Sequence, residues 1–203
     1  NMIKEQLQAR DISDSATLKA MRDVPRHEFV PIKMQPYAYT DNPLSIGMGQ
    51  TISQPYTVAF QTQLLEVKRH EKVLEVGTGS GYQTAVLLEL GARVYTIERQ
   101  RQLFLEAQKT LSPLNYKPIY FYGDGYEGVP SYAPYDKILV TAAAPEIPQK
   151  LLDQLGIGGI LVIPEGGAAG QKMIRIERVS EKDYQRTEHG HFSFVPLLKG
   201  KNA

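Results

Sequence analysis

The residues best spaced for chemistry close three successive apolar runs. Val73-Leu74-Glu75-Val76 leads into Gly77-Thr78-Gly79-Ser80-Gly81, and glycine at alternate positions removes the Cβ atoms that would keep a ligand away from the backbone. A strand, a turn and a helix in that order put such a loop at the carboxyl edge of a sheet, where a carboxylate about twenty residues on can hold a ribose diol. Glu98 stands at that separation, closing the run Val94-Tyr95-Thr96-Ile97. Asp124-Gly125 closes the next run, offering a carboxylate to an adenine amine and a glycine that leaves room for the ring. The three together imply an adenosine-type cofactor. The loop is G-x-G-x-G, one residue short of the G-x-G-x-x-G dinucleotide fingerprint, so it fits NAD imperfectly. Alone it also reads as a tight turn that holds nothing, and Glu98 alone as a solvated carboxylate beside Arg99 and Arg101.

Other polar residues carry less. Ser53 precedes a predicted helix from Pro55 to Leu65, and from composition a serine there reads as its cap, with proline tolerated in the first turn. No G-x-S-x-G elbow surrounds Ser53, which excludes a serine-hydrolase nucleophile of that kind. His189 and His191 are two apart, on one face if the segment is a strand. No carboxylate or third histidine lies at ligand spacing, so they read as a polar turn and no metal is expected. His27 reads as structural, and Tyr37, Tyr39, Tyr56 and Tyr126 as packing and hydrogen-bonding residues. The chain has no cysteine, which removes disulfides, thiolate metal sites and cysteine nucleophiles.

The elements that must position these groups follow from periodicity. Strands are predicted at Val73–Val76, Val94–Ile97, Ile119–Tyr122, Ile138–Thr141 and Ile160–Ile163, with helices at Tyr82–Leu90, Gln102–Leu111 and Ile147–Leu155 between most of them. That alternation builds a parallel sheet covered on both faces. Met173–Val179 and Phe192–Leu198 follow with turns and no helix, predicting a hairpin added to the sheet. The first third reads as short helices, one of them capped by Ser13 or Asp14, interrupted by Pro25, Pro31, Pro36 and Pro43. The expected fold class is therefore α/β: a doubly wound, mostly parallel seven-stranded sheet with a C-terminal hairpin and an N-terminal helical cap. The 203 residues carry no repeat or low-complexity linker and read as one unit, with a cap over 2–70 and a cofactor-binding core over 71–203.

The glycine loop, Glu98 and Asp124-Gly125 together resemble the cofactor site of Rossmann-like S-adenosylmethionine-dependent methyltransferases. More specific is Gly49-Gln50-Thr51-Ile52-Ser53-Gln54-Pro55, which is similar to the signature of the protein-L-isoaspartate O-methyltransferase family. Val24-Pro25-Arg26-His27-Glu28-Phe29-Val30-Pro31, the Ala38-Tyr39 to Gly47 stretch and Phe194-Val195-Pro196-Leu197 agree with it, so the resemblance runs through almost the whole chain. One departure is Glu165, where a small apolar residue is expected. The resemblance implies methyl transfer from S-adenosyl-L-methionine, with S-adenosyl-L-homocysteine as product, to the free α-carboxylate of L-isoaspartyl residues in damaged proteins and peptides. It implies Ser53 as the catalytic residue. It implies Gly77, Thr78, Gly79, Ser80, Gly81, Glu98, Asp124 and Gly125 as cofactor-binding, and Thr51, Ile52, Ser53 and Val195 as substrate-binding.

Such a reaction makes modest chemical demands. A carboxylate with an ordinary pKa of about 4 is already ionised at neutral pH, so no general base is required. Neutral hydroxyls and N–H groups around Ser53 can orient the anion without over-stabilising it. Two rival classes compete with this reading. A nucleobase methyltransferase would carry an Asn- or Asp-Pro-Pro-aromatic motif at the end of the fourth strand, where this chain reads Thr141-Ala142-Ala143-Ala144-Pro145. A module that only retains the cofactor would keep the same motifs. Lys plus Arg number 23 against 22 Asp plus Glu, so no excess basic charge points to a nucleic-acid partner. No membrane-spanning run or secretory signal is evident once Asn1, ahead of Met2, is set aside. The expectation is a cytoplasmic monomer without membrane or nucleic-acid partners, in which Tyr37–Gln50 is a candidate lid.

Overall fold

The computed structural model describes residues 1–203. Met2–Gln8 forms a single wide π-helical stretch whose first turn is capped by Asn1, and helix α1 spans Ser15–Asp23 with the Asp14 carboxylate accepting from the Thr17 N–H. Two short 3-10 turns, Arg26–Phe29 and Ile32–Tyr37, lead to a hairpin of strands β1 (Leu44–Gly47) and β2 (Gln50–Ile52). This hairpin adds two short strands to the expected helical cap. Its tip needs left-handed backbone at Gly47, Met48 and Gly49, which two glycines supply at no steric cost. Helix α2 then runs Pro55–Leu65, the range its apolar spacing predicts.

The main sheet contains β3 (Lys72–Val76), β4 (Arg93–Glu98), β5 (Ile119–Tyr122), β6 (Tyr135–Val140), β7 (Leu155–Gly167), β8 (Gly170–Arg178) and β9 (Tyr184–Phe192). Their order is β5-β4-β3-β6-β7-β8-β9, with the first five parallel and β8 and β9 antiparallel. Helices α3 (Tyr82–Glu89), α4 (Arg101–Leu111) and α5 (Gln149–Asp153) connect the parallel strands. Because β3 pairs β4 on one side and β6 on the other, the chain grows outward from β3 in both directions. The crevice that binds ligands in such sheets opens at the carboxyl end of that strand.

Alternation along the strands fills two apolar layers. Leu74, Val76, Ile138 and Val140 pack with Leu151 and Leu161 on one face, while Val73, Leu139 and Val162 pack with Leu65 and Leu87 on the other. The cap shares a third cluster with the helices of the core, in which Leu7, Met21, Phe29 and Ile52 meet Tyr82, Val86 and Leu111. No helix is long and apolar enough to cross a membrane.

The end of the chain differs from expectation in a way that matters for the site. The second strand of the terminal hairpin is Tyr184–Phe192, not Phe192–Leu198. β9 is an edge strand whose Gln185, Arg186, Thr187 and Glu188 are all exposed, so it lacks the apolar alternation by which a half-buried strand is recognised. The apolar run after it leaves the sheet and crosses back to the carboxyl ends of the parallel strands. There the Ala143 N–H donates to Val195 O at 2.8 Å and the Leu197 N–H to Ala143 O at 2.7 Å. The predicted helix Ile147–Leu155 is also shorter, because Pro148 occupies its cap and Leu155 already belongs to β7.

Candidate active site

At the end of β3 the chain turns through Gly77, Gly79 and Gly81 at φ of +98°, +54° and +88°, values that side chains resist. Gly77 is also a packing requirement. A Cβ there would stand 2.6 Å from Thr141 Oγ1, which donates to Gly77 O at 2.7 Å. Gly81 ends the loop as the cap of α3, packed on Leu111. Glu98, at the tip of β4 and 6% exposed, accepts from the Gly79 N–H and the Gln100 N–H, both at 2.9 Å. The loop and the acidic strand end therefore form one hydrogen-bonded unit.

A second carboxyl supports this unit from below. Glu75 Oε1 accepts from the hydroxyls of Thr84 on α3 and Thr96 on β4, and Thr96 Oγ1 in turn meets Thr78 Oγ1. Complete burial, with a smaller push from the charge of Glu98, raises Glu75 to about 7 against the lowering effect of the two hydroxyls. Its Oε2 has no partner. The Thr78 hydroxyl thus faces the sheet, leaving that residue's backbone for a ligand.

Across the loop lies Ser53. It precedes α2 by one position more than a cap would, since Gln54 occupies the cap position and makes no side-chain capping bond. Its carbonyl accepts from Arg26 Nη2 at 2.8 Å, and Arg26 Nε donates to Ala38 O. This guanidinium is wholly buried over the Tyr82 ring, and burial lowers its pKa from the usual arginine value. Arg26 and Ala38 lie in stretches that resemble the family, but a buried cation is recognised only once its carbonyl partners are placed. Thr51 is exposed on β2, whereas Ile52 turns into the cap's core at 3% exposed, so a ligand meets Ile52 mainly through its backbone.

Ser53, Thr51, Gly77, Gly79, Glu98 and Val195 line a single cavity of about 60 Å³, completed by residues including Gln50, Thr141 and Phe194. A second lobe of about 40 Å³ shares Gln50, Gly77, Glu98 and Ala142 with it and continues to Gly125 and Leu197. Thr78 and Ser80 join Ser53 around a third small cavity. Glu98 is the only ionisable side chain lining the first cavity. Val195 O is taken by the Ala143 N–H, and the Val195 N–H donates to no protein acceptor. Asp124 lines neither lobe. Its carboxylate accepts from the Tyr126 N–H at 2.9 Å and from the Gly200 N–H at 2.7 Å, which anchors the terminal segment beside the lobe that Gly125 borders. Asn202 holds the same segment to Gln100 and to the backbone of Arg99 and Arg101.

The remaining candidates lie elsewhere. His27 Nδ1 meets the Tyr39 hydroxyl. His189 bonds Thr187 and, with His191, borders an outer groove. No group of metal-ligating side chains forms. Glu165 also faces that outer groove, paired with Arg186.

The loop fits an S-adenosyl nucleoside on its own chemistry. Glycines open the backbone, Glu98 presents a nearly buried carboxylate, and Gly125 borders the lobe beyond it, where an added Cβ would meet Val76 at 2.5 Å. Similarity to known proteins agrees. The profile of the protein-L-isoaspartate(D-aspartate) O-methyltransferase family matches residues 1–202. A protein-L-isoaspartate O-methyltransferase of Christiangramia forsetii is 56% identical over 95% of this chain and 91% of its own length. A solved protein-L-isoaspartate O-methyltransferase superposes at a TM-score of 0.85 with 27% identity over 96% of this chain, which spans 64% of that longer one. A Plasmodium falciparum chain described as the same enzyme, in complex with S-adenosyl-L-homocysteine, shares the fold at a TM-score of 0.85 and 24% identity, covering 98% of this chain and 97% of its own. Matched along its whole length and more than half identical to a named relative, the chain belongs to the protein-L-isoaspartate(D-aspartate) O-methyltransferase family.

Proposed function

We propose that Ser53 and the Val195 N–H orient the α-carboxylate of an isoaspartyl residue toward a methyl donor held against Gly77–Gly81, Glu98 and Gly125, with Asp124 supporting the adenine end. The reaction itself is that of the family, S-adenosylmethionine-dependent methyl esterification of isoaspartyl residues in protein repair. The observation that carries the residue assignment is the first cavity. It brings Ser53, Val195, Gly79 and Glu98 together and is lined by hydroxyls, amides and backbone, with no lysine, arginine or histidine.

That lining suits a nucleophile that arrives ionised. Bound S-adenosylmethionine supplies a methyl group on a sulfonium centre; the new O–CH3 bond forms as the S–CH3 bond breaks, and neutral S-adenosylhomocysteine remains. The chain's part is alignment, which can remove as much as about 7–11 kcal/mol of barrier. A lining cation would hold the carboxylate's charge more strongly in the ground state than in the transition state, where that charge is partly spent, and would slow the transfer. The Arg26 cation lies behind the Ser53 carbonyl instead, fixing the serine's position. Thr51 and the Ile52 backbone extend the contact to the peptide.

In this reading residues 1–203 work as one methyltransferase unit, with the substrate motif in the cap (2–70) and the cofactor in the core (71–203); the apolar cluster shared by cap, α3 and α4 supports it. We also propose a cytoplasmic monomer without nucleic-acid or membrane partners, a reading supported by the near-balance of charge and the lack of cysteine. The decisive test offers a synthetic isoaspartyl peptide and its normal aspartyl twin with S-adenosylmethionine. Ester should form on the isoaspartyl peptide with little on its twin, and equal rates on the two would remove the repair assignment.

A further inference from the structure

A polypeptide that reacts in mid-chain must leave the reaction cavity in two directions, and a large groove adjoins that cavity. A groove of about 1420 Å³ runs between the β7–β8 hairpin tip, the end of β9 and the first turns of α2. It shares Pro43, Gln54, Thr57 and Ser193 with the cavity that holds Ser53 and Val195. The tip is a close turn, since any Cβ on Gly166 would lie 2.6 Å from Gly170 O, and its Gly166 N–H donates to Ala144 O at 2.9 Å, which fixes it beside the carboxyl ends of the parallel strands.

Most of the groove's charged side chains are already partnered within the protein, His189 bonds Thr187, and His191 also borders it. Glu165 pairs with Arg186 and Lys172 with Glu188. Arg10 pairs with Asp41 while lying 3.3 Å over the Tyr56 ring, and Asp11 accepts from the Tyr56 hydroxyl. What stays unused is aromatic surface. Phe60 and Phe192 have centroids 5.1 Å apart, and Tyr56 lies parallel to Phe192 within 10° at 6.4 Å. All three rings are partly exposed along the groove.

We propose that this groove is a second substrate subsite, which seats the polypeptide on one side of the isoaspartyl residue and selects an uncharged segment bearing an aromatic or large aliphatic side chain. The assignment rests on the reaction reading above and adds a specificity determinant to it. Partly exposed stacked and tilted rings offer such a side chain both apolar area and an aromatic partner to pack on. Paired charges, by contrast, would have to be separated to serve a charged residue, which gains little at a solvated rim.

The test is a scan of isoaspartyl peptides of one length, in which tyrosine, alanine, glutamate or lysine occupies each flanking position in turn. On one side of the isoaspartyl residue, tyrosine should lower KM by about 5- to 10-fold relative to alanine, as one well-packed ring contact would, while glutamate and lysine behave as alanine does. Phe192→Ala should bring the tyrosine peptide's KM up to that of the alanine peptide, and Phe192→Tyr should restore the preference. Titration of each variant with S-adenosylhomocysteine reports an intact core. Should Phe192→Ala fail to fold, Ala168→Trp at the exposed hairpin tip narrows the same groove and should raise the tyrosine peptide's KM severalfold. A flat scan in the unmodified protein, a preference for glutamate or lysine, or a tyrosine preference that survives in Phe192→Ala and Ala168→Trp would overturn the subsite alone. If no peptide in the scan is methylated, the reaction reading falls and the subsite with it.

Discussion

The two walls of the reaction cavity are held in opposite ways. On the proposed cofactor side, Gly77–Gly81 directly follow β3 and Glu98 closes β4; they are tied to one another by the Gly79 N–H and rest on a parallel ladder. On the proposed substrate side, Ser53 lies in an irregular link between β2 and α2, and its carbonyl is held by Arg26, 27 residues away. Val195 lies beyond the last strand and is held by Ala143. The first wall is made of local turns on regular structure. The second is made of a few long-range hydrogen bonds, so damage to it should appear in turnover before it appears in cofactor affinity.

The largest effect is expected where the substrate wall is most dependent on one side chain. Arg26→Met leaves the Ala38 and Ser53 carbonyls without their donor, at about 1–3 kcal/mol for each buried acceptor. Denaturant unfolding should show that loss, and single-turnover methyl transfer should fall severely while calorimetry finds S-adenosylhomocysteine binding nearly intact. Equal losses of affinity and turnover would erase the distinction between the walls.

Next in size is the buried carboxyl under the cofactor wall. With Glu75 raised from 4.5 to about 7, the folded state holds more protons than the unfolded state between those values. Stability therefore falls as pH rises through that window, by up to about 1.4 kcal/mol per pH unit for one full proton. Glu75→Gln should flatten this slope in thermal unfolding measured from about pH 5 to pH 8. A slope unchanged by the substitution would mean that other groups carry it.

Glu98→Ala tests the cofactor wall directly. Charge-assisted hydrogen bonds contribute about 1.5–3 kcal/mol, so cofactor Kd should rise roughly 10- to 150-fold, with little change in the peptide's KM once cofactor is saturating. Undiminished cofactor binding would place the ribose elsewhere.

The smallest effect belongs to Ser53→Ala. Loss of one neutral hydrogen bond, worth about 0.5–1.5 kcal/mol, should slow methyl transfer roughly 2- to 12-fold. Melting temperature should hold, because Ser53 does not cap α2. The rate should also show no activating step near pH 6–7, since an ionised carboxylate needs no histidine base. A variant that melts earlier yet transfers methyl at the original rate would make Ser53 a structural residue.

Legibility followed the same division. The bounds of α2 and β5 and the carboxylate closing β4 are readable because helical or strand periodicity, proline and glycine act within a few residues. β9 is hidden because an edge strand with a solvated face needs no apolar alternation, and the apolar Phe194–Leu198 run misleads because it crosses the sheet's carboxyl end on hydrogen bonds to Ala143, with Leu197 buried, instead of pairing as a strand of the hairpin. The β1–β2 hairpin was hidden by its length, its second strand being only Gln50–Ile52.

By itself the sequence determined the α/β class, the glycine loop with its acidic partner and, through its motifs, the family, since each rests on residues near one another in the chain. Only the tertiary structure decided that Ser53 is no helix cap, that Arg26 fixes it, that Asp124 anchors the terminal segment and that an aromatic groove opens from the site. The physical reason is common to all four. Each depends on which donor, acceptor or ring is brought across the fold, with partners such as Arg26 and Ser53 or Asp124 and Gly200 separated by 27 and 76 residues, and no local propensity encodes such a meeting.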